Sequence, residues 1–271
     1  MMNPVICMVA PNGARRIRSD HEQIPLDAEA LARTASLSVK EGATAIHVHV
    51  RDDNGRHSLS VELYRQAIES IRRACGDDLF IQVTTESAGI YDVHQQIAMV
   101  YQLQPQAVSL SVTELARAEP DEISALDHWM HEKQILPQWI IYSEVDLQRY
   151  TEWLDNGVLC GSAYPVLFVL GSYRERIDAD IDMLYPFLSS TDRVSSWMVC
   201  AFGFREQVIM KQVIGEGGHI RVGFENNLWL TDKVIAKDNA ELVALNIASI
   251  REHDSSVATV EQTRRLLTPD W

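Results

Sequence analysis

The hydrophobic positions of this 271-residue chain fall into short apolar runs separated by longer amphipathic stretches. Most of the runs are continuous rather than strictly alternating, which is typical of parallel strands that helices cover on both faces. We therefore predict eight strands, at residues 4–10, 45–50, 79–85, 107–112, 136–143, 164–171, 196–203 and 219–225.

The stretches between these runs have the spacing of helices. Residues 60–76, for example, carry apolar side chains near i, i+3, i+4 and i+7 and end at Gly76. The other predicted helices cover residues 26–42, 91–103, 120–133, 146–157, 176–189, 205–217 and 238–253, with a short helix at 259–267 after them.

Eight strands in alternation with eight helices predict an α/β fold, a (β/α)8 TIM barrel. Such barrels usually need about 250 residues, so we expect residues 1–271 to form a single domain with a short C-terminal helix. An open doubly wound sheet is the alternative, because periodicity alone does not show that a sheet closes. The barrel predicts that functional side chains gather at the carboxyl ends of the strands.

The second strand carries the clearest candidate chemistry. His47 and His49 are two residues apart and share one face of the strand, with Arg51 next on the same face. Two imidazoles on one face can hold one ion, and neutral imidazole suits zinc, so we favour a metal site over two buried core histidines. Glu225 is the predicted third ligand, because it ends strand eight, which closes the barrel close to strand two.

Polar side chains also follow the other strands. Hydroxyl side chains follow strands three and four: Thr84, Thr85, Ser109 and Ser111. The candidates for binding substrate are Asn12, Gly13, Arg51, Ser109, Ser111, Glu144 and Trp229. Five further histidines, at 57, 94, 128, 131 and 253, fall in loops or on helix faces and are expected to be solvated.

Net charge and composition narrow the class of partner. The formal charge is -14 and the pI is near 5.0, which argues against nucleic acid and against anionic lipid surfaces. A small anionic substrate stays compatible, because a local arginine or metal reverses the field inside a cleft. No apolar run reaches the roughly 18 residues that span a bilayer, and the four cysteines are scattered without a CxxC pair. We expect a cytoplasmic enzyme or binding protein.

Five segments together resemble one protein family. They are "APNGA", "HVHVRDDNG", "VTTESAG", "FVLG" and "GGHIRVGFENNLWL". With them the chain resembles the β-keto acid cleavage enzymes nearly from end to end; the type activity there is 3-keto-5-aminohexanoate cleavage. The resemblance implies a zinc-dependent barrel, usually a homotetramer, that condenses a β-keto acid with acetyl-CoA and releases acetoacetate and a new acyl-CoA.

By position, the resemblance implies His47, His49 and Glu225 as zinc ligands and Arg221 as the catalytic arginine. It also implies a functional hydroxyl residue after strand three, Thr84 or Thr85, and one after strand four, Ser109 or Ser111. One departure from the family concerns the residue that acts as the general base. The family motif reads E-D-N, whereas here Asn226 follows Glu225. A neutral amide is not a base at pH 7, and a general base commonly contributes about 10²–10⁴-fold.

Three explanations for Asn226 stay open. Another carboxylate takes the role, the substrate needs a base at a different position, or catalysis is lost while binding remains. The candidate carboxylates are Asp52, Glu86 and Glu144. The exits of strands four and five also differ from the family, with Gln138 where an acidic residue is common, and both are predicted to line the acyl pocket.

Two other functions compete with acyl transfer. A metal-dependent barrel hydrolase often carries H-x-H after strand one and further histidines after strands five and six. Here the motif follows strand two, and the exits "IYSE" and "VLGS" contain no histidine. A catalytically degenerate binding homologue is the second alternative, prompted by Asn226.

Overall fold

The computed structural model of the chain describes residues 4–172, 177–188 and 191–271. Its centre is a closed barrel of eight parallel strands that follow one another in chain order, with the eighth paired to the first. These strands are β1 (Cys7–Val9), β2 (Ala45–Val48), β3 (Phe80–Thr84), β4 (Ala107–Ser111), β5 (Leu136–Ile141), β6 (Tyr164–Leu170), β7 (Val194–Ala201) and β8 (His219–Val222). The predicted barrel is confirmed, and the open doubly wound alternative is wrong.

Helices connect the strands around the outside of the barrel. They are α1 (Ala28–Glu41), α2 (Val61–Cys75), α3 (Val93–Leu103), α4 (Val112–Leu115), α5 (Pro120–Lys133), α6 (Glu144–Asp155), α7 (Tyr185–Leu188), α8 (Glu206–Gly215), α9 (Asn239–Glu252) and α10 (Val260–Leu266). Local sequence fixes their ends. Asp27 caps α1 by accepting a hydrogen bond from the N–H of Ala30, and Gly42 ends it in a left-handed conformation. None of the described helices is long and apolar enough to cross a membrane.

The predicted helix at 176–189 is wrong in extent. The described part of this segment contains a 3₁₀ turn, Ile181–Met183, followed by the four-residue helix α7. Pro186 has no N–H to donate, and its ring clashes with the carbonyl four residues earlier, so a helix accommodates it only in the first turn. The helix accordingly begins at Tyr185. Residues 176 and 189 lie outside the described residues.

Short strand pairs outside the barrel reshape its mouth. Val50–Arg51 pairs with His57–Ser58 in an antiparallel hairpin, and Trp229–Thr231 pairs with Val234–Ile235 in another. Both hairpins follow strands that end at the site, β2 and β8. The chain after each strand therefore turns back on itself before it reaches the next helix.

The barrel interior changes from apolar to polar along the strands. Near the amino ends the inward side chains are apolar and belong to one cluster: Ala45, Phe80, Ala107 and Leu136. Two residues further along the same strands lie four buried polar side chains: His47, Gln82, Ser109 and Gln138. Because residues two apart on a strand share a face, both sets point into the barrel. The polar side chains of the candidate site therefore lie directly above an apolar layer of the barrel interior.

Candidate active site

His47 and His49 meet in the mouth of the barrel. The alternation of β2 and the residue after it turns both rings to the same side, and each residue is 1% exposed. Their Nε2 atoms lie 3.1 Å apart. Glu225, three residues after β8, brings its Oε2 to 3.4 Å from His49 Nε2 and 3.8 Å from His47 Nε2. The three predicted metal ligands therefore converge on one point.

The donor atoms fit a divalent cation. Oε2 of Glu225 is buried and has no hydrogen-bond partner within the described residues, although two imidazole nitrogens lie close to it. Burial, with a further contribution from Arg221, lowers the pKa of His47 to about 3, so the ring is neutral and able to act as a ligand. Two imidazoles and one carboxylate leave a fourth position open, as in catalytic zinc sites. The identity of the metal as zinc stays a prediction.

Arg221 lies directly beside this cluster. Its Nη2 donates to Glu225 Oε1 at 3.0 Å and contacts Asn226 Oδ1 at 3.4 Å. Burial opposes ionisation of Glu225, but Arg221 and the two histidines hold the pKa of that carboxyl well below its usual range. Nε and Nη1 of Arg221 are buried without a hydrogen-bond partner in the described part of the chain. The guanidinium therefore keeps two donor atoms for a ligand.

The loop after β1 is shaped to cover Glu225. Gly13 has a φ of +58°, and a Cβ there would lie 2.6 Å from Cγ of Glu225. Asn12 donates its amide to the carbonyls of Pro25 and His49. The predicted substrate residues Asn12 and Gly13 therefore lie at the site, but the Asn12 amide nitrogen is bound to backbone.

Arg51 differs from its predicted role. It is buried, and its guanidinium donates to the carbonyls of Asn12, Gly13, Arg16 and Gly55. Those bonds fasten the β1 loop to the strand that carries the histidines. The structure therefore gives Arg51 a positioning role in place of the predicted substrate contact, because its donors are used by the backbone.

The four hydroxyl residues lie around the three candidate metal ligands. With the ligands they line a small inner chamber, and each is at most 5% exposed: Thr84, Thr85, Ser109 and Ser111. Thr85 donates to the carbonyl of Ser109, Thr84 accepts from the N–H of Glu86, and Ser111 caps α4. Only the Ser109 hydroxyl, among these four, has no hydrogen-bond partner in the described residues.

A larger outer cavity of about 760 Å³ opens from the inner chamber to the surface. The two share six lining residues: Glu86, Ser111, Glu114, Tyr142, Arg221 and Glu225. The lining of the outer cavity includes charged side chains, at Arg15, Arg16, Arg117 and Glu144, and apolar side chains, at Val169, Ile177, Met183, Phe187 and Phe202. A drug-sized molecule fits a cavity of this volume.

Trp229 does not line either cavity. It begins the hairpin after β8 and packs against a cluster that contains Phe224 and Leu228, while its backbone N–H donates to the side chain of Asn227. The prediction that Trp229 forms a pocket wall is therefore wrong for this structure.

The three carboxylates considered as replacement bases fall in different places. Asp52 accepts from the N–H groups of Asn54 and Arg56 and closes the hairpin turn. Glu144 is exposed at the rim of the outer cavity. Glu86 lines both cavities, and its Oε2 is 3.9 Å from Nδ1 of His49. Burial raises the pKa of Glu86. Of the three carboxylates, only that of Glu86 lies beside a candidate metal ligand, His49.

His57 was expected to be solvated, and this is wrong. It is 4% exposed, its ring centroid is 5.4 Å from that of His49, and its Nε2 bonds the carbonyl of Glu86 at 2.7 Å. The cause is the hairpin after β2, which folds His57 back beneath the loop of β3. The turn sequence Asp53-Asn54-Gly55 is the signal that predicts such a hairpin.

An eight-stranded barrel with two histidines, a glutamate and an arginine converging at the carboxyl ends of its strands defines a barrel enzyme with a candidate metal centre. The chain belongs to the β-keto acid cleavage enzyme family, whose model matches residues 4–268. The match spans nearly the whole chain, so the barrel itself, and not an added domain, carries the likeness.

Individual relatives match over the same extent. The chain is 26% identical to a 3-keto-5-aminohexanoate cleavage enzyme of Fusobacterium nucleatum, over 99% of both chains. It is 25% identical to a 3-oxoadipate:acetyl-CoA acetyltransferase of Cupriavidus necator, over 98% of this chain and 95% of the relative. The solved complex of ObcA with oxaloacetate superposes with a TM-score of 0.71 at 15% identity, over 92% of this chain and 68% of that one, and that likeness shows the fold alone.

Proposed function

We propose that this protein condenses a β-keto acid with acetyl-CoA and cleaves the adduct into acetoacetate and a new acyl-CoA. The observation that carries the proposal is the convergence of His47, His49 and Glu225 beside Arg221, at the base of a cavity that opens to the surface. Relatives named for β-keto acid cleavage and for acetyl transfer from acetyl-CoA support it. A zinc ion bound by the three ligands would supply Lewis-acid stabilisation of negative charge on the keto acid oxygens.

Arg221 binds the negative oxygens that develop during the reaction. Its two unpartnered donor atoms support this role, because donors fixed in a buried site stabilise an oxyanion without reorganising. The Ser109 hydroxyl is a further donor at the inner chamber. Nε and Nη1 of Arg221 and the hydroxyl of Ser109 have no hydrogen-bond partner among the described residues that a substrate would have to displace.

Glu86 holds the proton that leaves the α-carbon of the keto acid. Three contacts support this assignment: His57 binds its carbonyl, Thr84 binds its N–H, and Arg15 lies 3.4 Å from its Oε1. The carboxylate is thus oriented from both its backbone and its side chain. Asn226 then binds Arg221 and needs no proton of its own.

The direct experiment incubates the protein with acetyl-CoA and a panel of β-keto acids, with anionic, cationic and apolar side chains. Mass spectrometry of the products should find acetoacetate together with the matching acyl-CoA for at least one member. A panel that yields neither product, from protein with its metal bound, would overturn the proposal.

Binding without turnover is the second candidate, favoured by the neutral Asn226 next to Arg221. Calorimetric binding of acetoacetate to a protein that never forms acyl-CoA would support it. The implied homotetramer and the cytoplasmic location stay predictions; light scattering and cell fractionation are their tests.

A further inference from the structure

Four buried side chains form a row across the barrel beneath the candidate metal centre. They come from β2, β3, β5 and β7: His47, Gln82, Gln138 and Met198. Nδ1 of His47 is 2.8 Å from Gln82 Oε1, Nε2 of Gln82 donates to Gln138 Oε1 at 3.0 Å, and Nε2 of Gln138 contacts Met198 Sδ at 4.0 Å. Each of these residues is at most 1% exposed.

Met198, at the far end of this row, fixes the direction of its hydrogen bonds. A thioether sulfur has no hydrogen to donate and can only accept, so Gln138 turns its NH2 group to Met198 and its oxygen to Gln82. Gln82 must then turn its NH2 group to Gln138 and its oxygen to His47. The oxygen of Gln82 accepts, so Nδ1 of His47 carries the ring hydrogen. Nε2 of His47 is left with a lone pair.

The reversed row would disable the ligand. If both amides turned over, the NH2 group of Gln82 would face His47 Nδ1, and the ring hydrogen would move to Nε2. An Nε2–H cannot coordinate a cation. In that arrangement the oxygen of Gln138 would also face the sulfur of Met198, two acceptors without a hydrogen between them.

We propose that Gln82, Gln138 and Met198 are positioning residues that select the Nδ1–H tautomer of His47 and so present its Nε2 lone pair to the cation. The inference rests on the proposed function only in that the same cation centre is used. It assigns a role to three interior residues that line neither cavity. The thioether of Met198 sets the direction of the hydrogen bonds along the row.

His49 provides an internal contrast. Its Nδ1 is buried and has no hydrogen-bond partner within the described residues; the carboxylate of Glu86 is 3.9 Å away. The row therefore contacts one ligand directly and not the other. Loss of the row should change the tautomer of His47 first, and that of His49 only through the 3.1 Å contact between the two Nε2 atoms.

Nitrogen NMR of the metal-free, ¹⁵N-histidine-labelled full chain tests the inference without any turnover. In the native protein His47 should show a protonated Nδ1 and a bare Nε2. Gln82→Leu should give a mixture of both tautomers and weaken zinc binding by about 10- to 100-fold, as loss of such supporting partners does. Gln82→Glu, which still accepts from Nδ1, should restore both the tautomer and the affinity.

Asn246→Leu is the matched control, because it removes another buried amide, in α9, far from the row along the chain. It should leave the His47 spectrum and the zinc affinity unchanged. Met198→Leu, which removes only the terminal acceptor, should populate the minor tautomer. A native His47 with hydrogen on Nε2, or a Gln82→Leu variant with the native spectrum and affinity, would overturn the inference. Absence of acyl transfer, with these results in place, would instead contradict only the proposed function.

Discussion

The two sides of the candidate metal centre differ in how completely their polar atoms are paired. On the side of β3 and β5, each amide nitrogen and oxygen of Gln82 and Gln138 has a hydrogen-bond partner. On the side of β8, each of Arg221, Glu225 and Asn226 has at least one buried side-chain atom without a hydrogen-bond partner among the described residues. Buried polar groups in native proteins are nearly always bonded. The two paired amides therefore support the ligands, and the unpaired atoms near β8, together with the Ser109 hydroxyl on β4, are where cation and substrate are expected.

The largest expected effect comes from Glu86, at the exit of β3. Glu86→Gln keeps the shape of the side chain but removes the carboxylate that we assign to the α-proton. We expect kcat to fall by about 10²–10⁴-fold, the contribution of a general base, with little change in metal content. Glu144→Gln, at the exposed rim, is the control and should retain native turnover. Equal activity in both variants would show that Glu86 is not the general base and that the base lies on the side of β8.

Removal of Arg221 tests the unpaired side itself. Arg221→Ala should lower kcat by about 10²–10³-fold, the usual cost of losing an oxyanion donor. Arg221→Lys keeps the charge but loses the planar pair of free donors, so we expect an intermediate loss. Steady-state kinetics with both substrates measures the effect. An alanine variant with native kcat would mean that the free donors have no part in the reaction.

The pH dependence of stability tests a second buried group on the β8 side. Glu206 is fully buried in α8 and accepts from the side-chain amide of Asn227. Burial raises its pKa to about 8, whereas an unfolded glutamate titrates near about 4.3. Between these values the unfolded chain is ionised while the folded protein keeps its proton, so stability falls as pH rises.

Urea unfolding of the native protein should therefore lose on the order of a few kcal/mol between about pH 5 and about pH 8. Glu206→Gln mimics the protonated form and still accepts from Asn227, so this part of the slope should vanish. The same slope in both proteins would place the titration elsewhere.

The smallest expected effect concerns Asn226. With the proton held by Glu86, Asn226→Asp adds only a charge beside Arg221, and we expect turnover to change by less than about tenfold, below the range of a general base. A gain of a hundredfold or more would show a degenerate site that the aspartate repairs. Turnover of the native and variant proteins on the same β-keto acid distinguishes these outcomes.

The sequence was sufficient for the barrel and for the convergence of the three candidate metal ligands, and the reason is local periodicity. His47 and His49 share a face because they are two apart on a strand, and closure of the barrel pairs β8 with β1, which lies next to β2. Gln82 and Gln138 obey the same rule, since they continue the inward face of Phe80 and Leu136. Gln82 was missed because an amide carries no chemical signature of its own. Gln138 was noted as a departure from the family in a segment expected to line the acyl pocket, but its side chain lines neither cavity.

The errors fall where the chain leaves its strands. Arg51, His57 and Trp229 all lie in hairpins, where pairing between short segments decides which way a side chain points. Arg51 turned to the backbone, His57 turned inward and Trp229 lines neither cavity. Such pairings depend on contacts between loops distant in the sequence, such as His57 with Glu86, and periodicity contains no information about them.

Metal analysis of the purified protein tests the central claim most directly. We expect one divalent cation per chain, zinc by prediction, and its loss in His49→Ala and in Glu225→Gln with the barrel still folded by circular dichroism. A native protein that takes up no such ion when offered it, or a variant that keeps a full equivalent, would contradict the account.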